Sequence, residues 1–133
     1  MDKTEREKGE KYLKNWGKSI SNIEKLQVEI NTIRKNNDVL EKIYLENKSD
    51  IIDCYNSILN EKLLELKKAI KDYKLIENIL NDLEDYKRKV IEYRYIYKNS
   101  WQAVALKVHI SLRYCFYIKN LVIKKILETI EEE

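Results

Sequence analysis

The chain contains no proline, and its only glycines, Gly9 and Gly17, stand close to its start. From Lys18 onward nothing in the sequence compels a backbone break, so an all-α protein is expected. Histidine is almost absent as well, with His109 standing alone. One imidazole, no glycine-rich loop to cradle phosphate and no pair of His or Cys residues at metal-ligand spacing leave no catalytic or metal-binding constellation. No enzyme activity and no cofactor are therefore expected. His109 falls between two helical segments, a position that suits packing or a phosphate contact far better than catalysis. Carboxylates are plentiful, but they spread along helical faces, where solubility and i,i+4 pairing account for them. Cys54 and Cys115 are single, widely separated and placed at apolar helical positions, so buried reduced thiols are expected. Long apolar runs are missing too. The stretch Asp2 to Lys8 is mostly charged with no apolar core behind it, and no run approaches the roughly 20 residues of a membrane span. Neither a secretory signal nor a membrane partner is expected, and a cytoplasmic protein is the reading that remains.

What the chain has in abundance is charge, unevenly distributed. The whole sequence of 133 residues carries a net charge of only +3. Between Tyr86 and Lys125, however, Lys87, Arg88, Lys89, Arg94, Lys98, Lys107, Arg113, Lys119, Lys124 and Lys125 face a single acid, Glu92. The remainder is therefore acidic, with Glu128 and Glu131 to Glu133 closing the sequence. A high lysine content alone says little, because Lys, Asn, Ile and Tyr are raised together here in the manner of an AT-rich coding sequence. A basic segment on a nearly balanced chain is the footprint expected of phosphate contact.

That segment divides into three helices. The first sets Leu83, Tyr86, Val90, Tyr93 and Tyr97 along one face. Trp101, Val104, Ala105 and Val108, at i, i+3, i+4 and i+7, then make a short amphipathic helix with Ser100 placed to cap it. His109-Ile110-Ser111 breaks the pattern, and the Ser111 hydroxyl can accept from a free backbone N–H of a third helix. Two short helices about a tight turn are the helix-turn-helix arrangement. Along the third helix, a step of about 100° per residue puts Cys115, Ile118, Val122 and Ile126 on one side and Arg113, Tyr117, Asn120 and Lys124 on the other. Arg and Asn can make paired hydrogen bonds to guanine and adenine edges in the major groove, and Tyr and Lys commonly hold phosphates. An ordinary solvated face carries such residues too, but the basic surroundings and the helical turn favour DNA. The candidate contacts are Ser111, Arg113, Tyr114, Tyr117, Asn120 and Lys124 on the third helix, with Gln102 and Lys107 on the second. Most of the aromatics here suit a small core that needs large side chains. Tyr114 and Phe116 fit it least and are free to flank DNA or meet a protein.

The run Val90-Ile91-Glu92-Tyr93-Arg94-Tyr95-Ile96, then Ser100-Trp101-Gln102-Ala103-Val104-Ala105, then Val108-His109-Ile110-Ser111, resembles region 4 of sigma-70-type factors. It is closer still to the small phage-borne regulators of the RinA and ArpU kind. The resemblance covers roughly the last 50 residues and not the first 80. It implies sequence-specific binding of double-stranded DNA and control of transcription, often of late phage genes, with RNA polymerase as a further partner. Carried over by position, Ser111, Arg113, Tyr114 and Tyr117 match the DNA-facing part of the recognition helix, and Val104, Ala105, Ile110, Cys115 and Ile118 match its packing positions. Three positions depart from the pattern. His109 stands where glycine is common, Tyr117 where a basic residue is frequent, and Cys115 where valine is usual.

Ahead of this unit, residues 1–18 are highly charged and hold both glycines, so a flexible start is expected, with Tyr12 and Trp16 available to dock. Ser21 and Glu24 have capping-box spacing. A heptad then runs through Ile23, Leu26, Ile30, Ile33, Asn37, Leu40, Tyr44, Asn47, Ile51, Cys54 and Ile58. A second phase, Leu59, Leu63, Leu66, Ile70 and Tyr73, suggests a break near Asn60, and Asn47-Lys48-Ser49-Asp50 offers another. Residues 19–80 are thus expected as a coiled coil or helical hairpin, and residues 81–133 as the DNA-binding unit, with a junction at Asn81 or Asp82. A single helix over residues 21–58 would reach about 57 Å at 1.5 Å per residue, too long to bury its seam on the small C-terminal unit. Either an antiparallel hairpin or a second copy must cover it. Homo-oligomerisation through residues 20–80 is the favoured arrangement, since a dimer sets two heads on one duplex. Two other functions fit the same helices: a protein–protein interaction module that docks on RNA polymerase or a phage protein, and a DNA-packaging protein like a terminase small subunit.

Overall fold

Asp2 starts the first helix: its carboxylate oxygen accepts from the Glu5 N–H at 2.8 Å and its carbonyl from the Arg6 N–H at 3.1 Å. A short acidic side chain satisfies an orphan donor there and suits the positive end of the helix dipole. The computed structural model describes residues 1–43 and 49–131, with side chains outside 40–52. Over these residues the fold is all-α, in the order α1 (Lys3–Ile43), α2 (Ser49–Asn81), α3 (Asp85–Tyr95), α4 (Trp101–Val108) and α5 (Leu112–Glu131). None of the helices is long and apolar enough to cross a membrane. Long N-terminal helices followed by a three-helix C-terminal segment are what the sequence pattern led one to expect.

The chain divides into two units, Met1–Ser19 with Asp72–Glu133, and Ile20–Lys71. The second unit pairs the middle of α1 with the first part of α2 in antiparallel fashion. Asn37 donates through its Nδ2 to Asn56 Oδ1 at 3.2 Å, and Lys62 Nζ meets Glu29 at 3.0 Å. Glu29 holds the Lys62 ammonium above its usual pKa, through their hydrogen bond first and their charges second. Ile30 is buried, and Ile23, Leu26, Ile33 and Asn37 are half-buried, so the first heptad phase does form a seam. Its covering is intramolecular. Cys54 and Ile58 leave the seam and are exposed, while Tyr55, Leu59, Leu63, Leu66 and Ile70 are half-buried. The inward phase of α2 therefore reaches back to Tyr55, and the helix runs unbroken through Asn60. Of the remaining seam positions, Tyr44 and Asn47 and the side chains of Leu40 and Ile51 lie outside the described residues; of the break expected over Asn47-Lys48-Ser49-Asp50, the first two residues lie outside them and Ser49 begins α2.

In the other unit the core gathers Val90, Ile91, Val104, Cys115, Ile118, Val122, Ile123 and Ile126, each fully sealed. Its lid was not expected. Residues 3–19 are helical, and Leu13 and Trp16 lie inside the same core, with Ile76, Ile79 and Leu80 from the end of α2. The charged start of the chain is thus part of the unit, and the two glycines are the reason. A Cβ at Gly9 would collide with the Ile123 side chain, and one at Gly17 with the carbonyl oxygen of Tyr95. Both glycines permit close helix–helix approach, where flexibility was the simpler reading of the sequence. Polar bonds fix the seat. Trp16 Nε1 donates to Glu77 Oε1 at 3.2 Å, and Glu77 also receives the Arg88 guanidinium at 3.0 Å. Burial disfavours the Arg88 charge, but Glu77 and Glu92 together outweigh it and raise the pKa.

Gly17 supplies a test of this seat. An exposed helical glycine costs about 1 kcal/mol relative to alanine, so a larger residue there would ordinarily help. Here the neighbour is backbone and cannot yield, and overpacking costs about 1–3 kcal/mol. Gly17→Val is expected to lower the stability of the folded chain by about that amount, read as a drop in the urea midpoint. A midpoint unchanged or raised would mean that α1 does not seat on α3.

Candidate nucleic-acid interface

The turn between α4 and α5 is closed by backbone bonds. His109 adopts a left-handed conformation with φ 61°. Its N–H and that of Ile110, the latter at 3.2 Å, both donate to the Ala105 carbonyl. This is the helix-ending motif that usually takes glycine at the left-handed residue, which agrees with the departure noted at His109. Both expected serine caps form: Ser100 Oγ accepts from Ala103 N–H at 3.2 Å and Ser111 Oγ from Tyr114 N–H at 3.1 Å. α4 is therefore entered and left, and α5 entered, at defined residues.

On α5 the two faces separate largely as the periodicity predicts. Cys115, Ile118, Val122 and Ile126 are sealed, and burial pushes the Cys115 thiol up in pKa. Arg113 and Lys124 are exposed, and Tyr117 is 56% exposed. Ser111, Arg113, Tyr114 and Tyr117 line one shallow depression of about 270 Å³ at the start of α5. Gln102 and Lys107 on α4 are exposed, with the Lys107 ammonium 5.2 Å from the Tyr93 ring centre. Asn120 departs from expectation. It is half-buried, and its Oδ1 is enclosed without a hydrogen-bond partner, so it does not offer the free amide edge that paired contact with adenine requires. On the helical wheel Asn120 sits between Lys124 and the core-facing edge, where the neighbouring packing reaches it.

Several contacts around this face join side chains from different helices, which spacing along one helix does not disclose. Tyr114 stacks on Tyr117 with ring centres 5.6 Å apart and shares a hydrogen bond of 3.2 Å with the Tyr86 hydroxyl. That bond, helped by burial, pushes the Tyr86 hydroxyl up to about 12. On the other flank Trp101 collects Arg94 at 5.0 Å and Lys119 at 5.6 Å over its ring, with Phe116 edge-on at 5.4 Å. Phe116 thus has a packing partner after all. Arg94 is also tethered, since Nη1 donates to the Asn99 carbonyl at 3.1 Å. The spacing of Arg94 and Lys119 gave no sign that they share one indole, because they come from different helices.

The basic segment is less free than its composition suggests. Arg88 is taken up by Glu77 and Glu92, Lys87 by Glu84 at 3.6 Å and Lys89 by Asp85 at 4.0 Å. Among the described residues Lys98, Lys107, Arg113, Lys119, Lys124 and Lys125 form no ion pair. Nor do any three His, Cys, Asp or Glu side chains among them converge to hold a metal. The chain matches no protein-family model, and comparisons with curated proteins and with solved structures also find no match.

Two measurements test this local geometry. A left-handed non-glycine residue costs about 1–2 kcal/mol, partly offset by the greater entropy glycine loses on folding. His109→Gly is expected to raise stability by about 1 kcal/mol in chemical denaturation; a loss would mean that the imidazole itself anchors the turn. The Tyr86 hydroxyl has a folded pKa above its ordinary value of 10, so its contribution to stability is complete below pH 10 and disappears as pH rises through about 12. Tyr86→Phe should accordingly unfold more easily than the parent at neutral pH, with the gap narrowing over that alkaline window. A gap independent of pH would show that the hydroxyl pair is not formed.

Proposed function

We propose that this chain is a sequence-specific double-stranded DNA-binding protein that reads the major groove with α5 and acts in transcriptional regulation. One observation carries the reading: α5 buries one stripe completely while Arg113, Tyr117 and Lys124, on the opposite side, stay exposed and form no ion pair. A helix that projects one solvated, basic side from a rigid two-helix turn has the geometry that groove insertion demands. Arg113 near the start of α5 is the base-reading candidate, because guanidinium matches the acceptor pair of guanine. Tyr114 and Tyr117 present a stacked aromatic pair beside it, and Lys107 and Lys124 are suited to phosphates. The sigma-70 region 4 resemblance of the same residues supports the regulatory role. Self-association through residues 20–80 would set two such heads on one duplex, and the exposed apolar side chains Val28 and Leu64 favour it.

A second reading, docking on a protein such as RNA polymerase, draws on Leu106, which is 77% exposed on α4. A mobility shift with genomic fragments separates the two, since only the first requires DNA binding by the protein alone. Under the first reading, Arg113→Ala should cost about 1–3 kcal/mol at the preferred site and relax the preference at one base pair in a site-selection experiment. Lys124→Ala should instead weaken all duplexes alike. If Arg113→Ala retains the parental site preference, α5 is not the reading helix.

A further inference from the structure

Away from the α5 face, Lys14, Lys18, Arg94 and Lys98 converge with Tyr95 on a cavity of about 240 Å³. We propose that this cavity holds a backbone phosphate of the DNA duplex, which makes the first helix of the chain a DNA-contacting element. The proposal rests on the reading of α5 as the base-reading helix. Lys14 and Lys18 lie one turn apart on α1, where like charges at i,i+4 repel each other. Arg94 and Lys98 add two more positive charges from the end of α3 and the loop after it, and no carboxylate lines the space. The negative end of the α3 dipole amounts to about half a charge and cannot balance four cations. An anion can.

The cluster is also built, in the sense that each member is positioned by an independent constraint. Gly17 lets α1 touch the Tyr95 carbonyl, which brings Lys14 and Lys18 beside the end of α3. Arg94 is held over Trp101 and bound to the Asn99 carbonyl, which leaves the rest of its planar fork available. Lys98 has φ 56°, one of only two left-handed non-glycine residues among those described, and strain of that kind gathers at functional positions. The link to the reading helix is Trp101, whose ring takes both Arg94, at 5.0 Å, and Lys119 of α5, at 5.6 Å. The four-cation cavity is therefore continuous with the basic flank of α5. Its phosphodiester occupant fits that continuity better than a free nucleotide does, since a free nucleotide also asks for a base-stacking surface and the one buried ring here, Tyr95, is committed to Trp101 and Glu10.

The test is the salt dependence of duplex binding by the full chain carrying Lys14→Gln and Lys18→Gln, both exposed positions. A plot of log affinity against log salt should become shallower by about one for the double variant, the single phosphate that the cavity holds, with sequence preference unchanged. Lys67→Gln with Lys68→Gln, an equal change of charge at exposed positions of the other unit, should leave the slope as it was. A parental slope in the Lys14/Lys18 variant, or an equal loss in the Lys67/Lys68 control, overturns the proposal while DNA reading by α5 stands. If the parent binds no duplex, the reading of α5 fails first. In that event, stabilisation by inorganic phosphate at fixed ionic strength, present in the parent and absent from the Lys14/Lys18 variant, would assign the cavity to free phosphate and overturn its assignment to DNA.

Discussion

Burial of a single stripe on α5 is the constraint on which the basic unit depends. Cys115, Ile118, Val122, Ile123 and Ile126 are all sealed, and a helix cannot seal five residues against one neighbour. α3 and α4 cover part of the stripe, and α1 closes it where Gly9 lies on Ile123. Because the lid comes from the beginning of the chain, residues 1–19 and 72–133 fold as one body. The opposite side of α5 is left to solvent as a direct consequence. A charged face stays free here because the apolar stripe has already determined the orientation of the helix.

The distribution of bases follows the same division. Arg88, partly enclosed, is a structural cation: it joins Glu77 of α2 to Glu92 of α3, and Glu77 in turn takes the indole N–H of Trp16. Removing either partner would strand a partly buried charge, so this pair secures the seat of α1 and contributes nothing to an external ligand. The cations without carboxylate partners lie instead along α5, on α4 and at the end of α3. Net charge per segment could not make this distinction, because it counts Arg88 and Arg113 alike.

Where one helix supplies all the relevant positions, the sequence was legible. The caps at Ser100 and Ser111, the tight turn over His109-Ile110-Ser111 and the sealed face of α5 are local consequences of residue type and period, and each is found. Legibility failed where contact between distant segments decides. Gly9 and Gly17 read as flexibility because nothing adjacent in sequence discloses that Ile123 and Tyr95 will press against them. Cys54 and Ile58 continue the heptad phase of α1 only on paper: α1 ends at Ile43 and α2 begins at Ser49, and a phase counted along one helix has no physical reason to carry into the next. The helical step places Asn120 by angle alone, and angle does not register the depth to which neighbouring side chains reach. Lys14 and Lys18 have visible same-face spacing but belong to a stretch whose charge and glycines read as a flexible start.

The two left-handed residues show how local strain and function are distributed around α4. His109 and Lys98 each carry a cost of about 1–2 kcal/mol that glycine would avoid. At His109 the cost has a local return, since the turn ends α4 with two bonds to Ala105 and turns the chain into the Ser111 cap. At Lys98 the neighbouring bond, Asn99 N–H to the Tyr93 carbonyl at 3.0 Å, would form equally well with glycine. What glycine would remove is the ammonium beside Arg94. Retaining lysine there adds repulsion to backbone strain, and folding alone gives no reason to accept both. An anion in the proposed cavity would relieve the repulsion, so the geometry at the end of α3 bears on binding as well as on chain reversal.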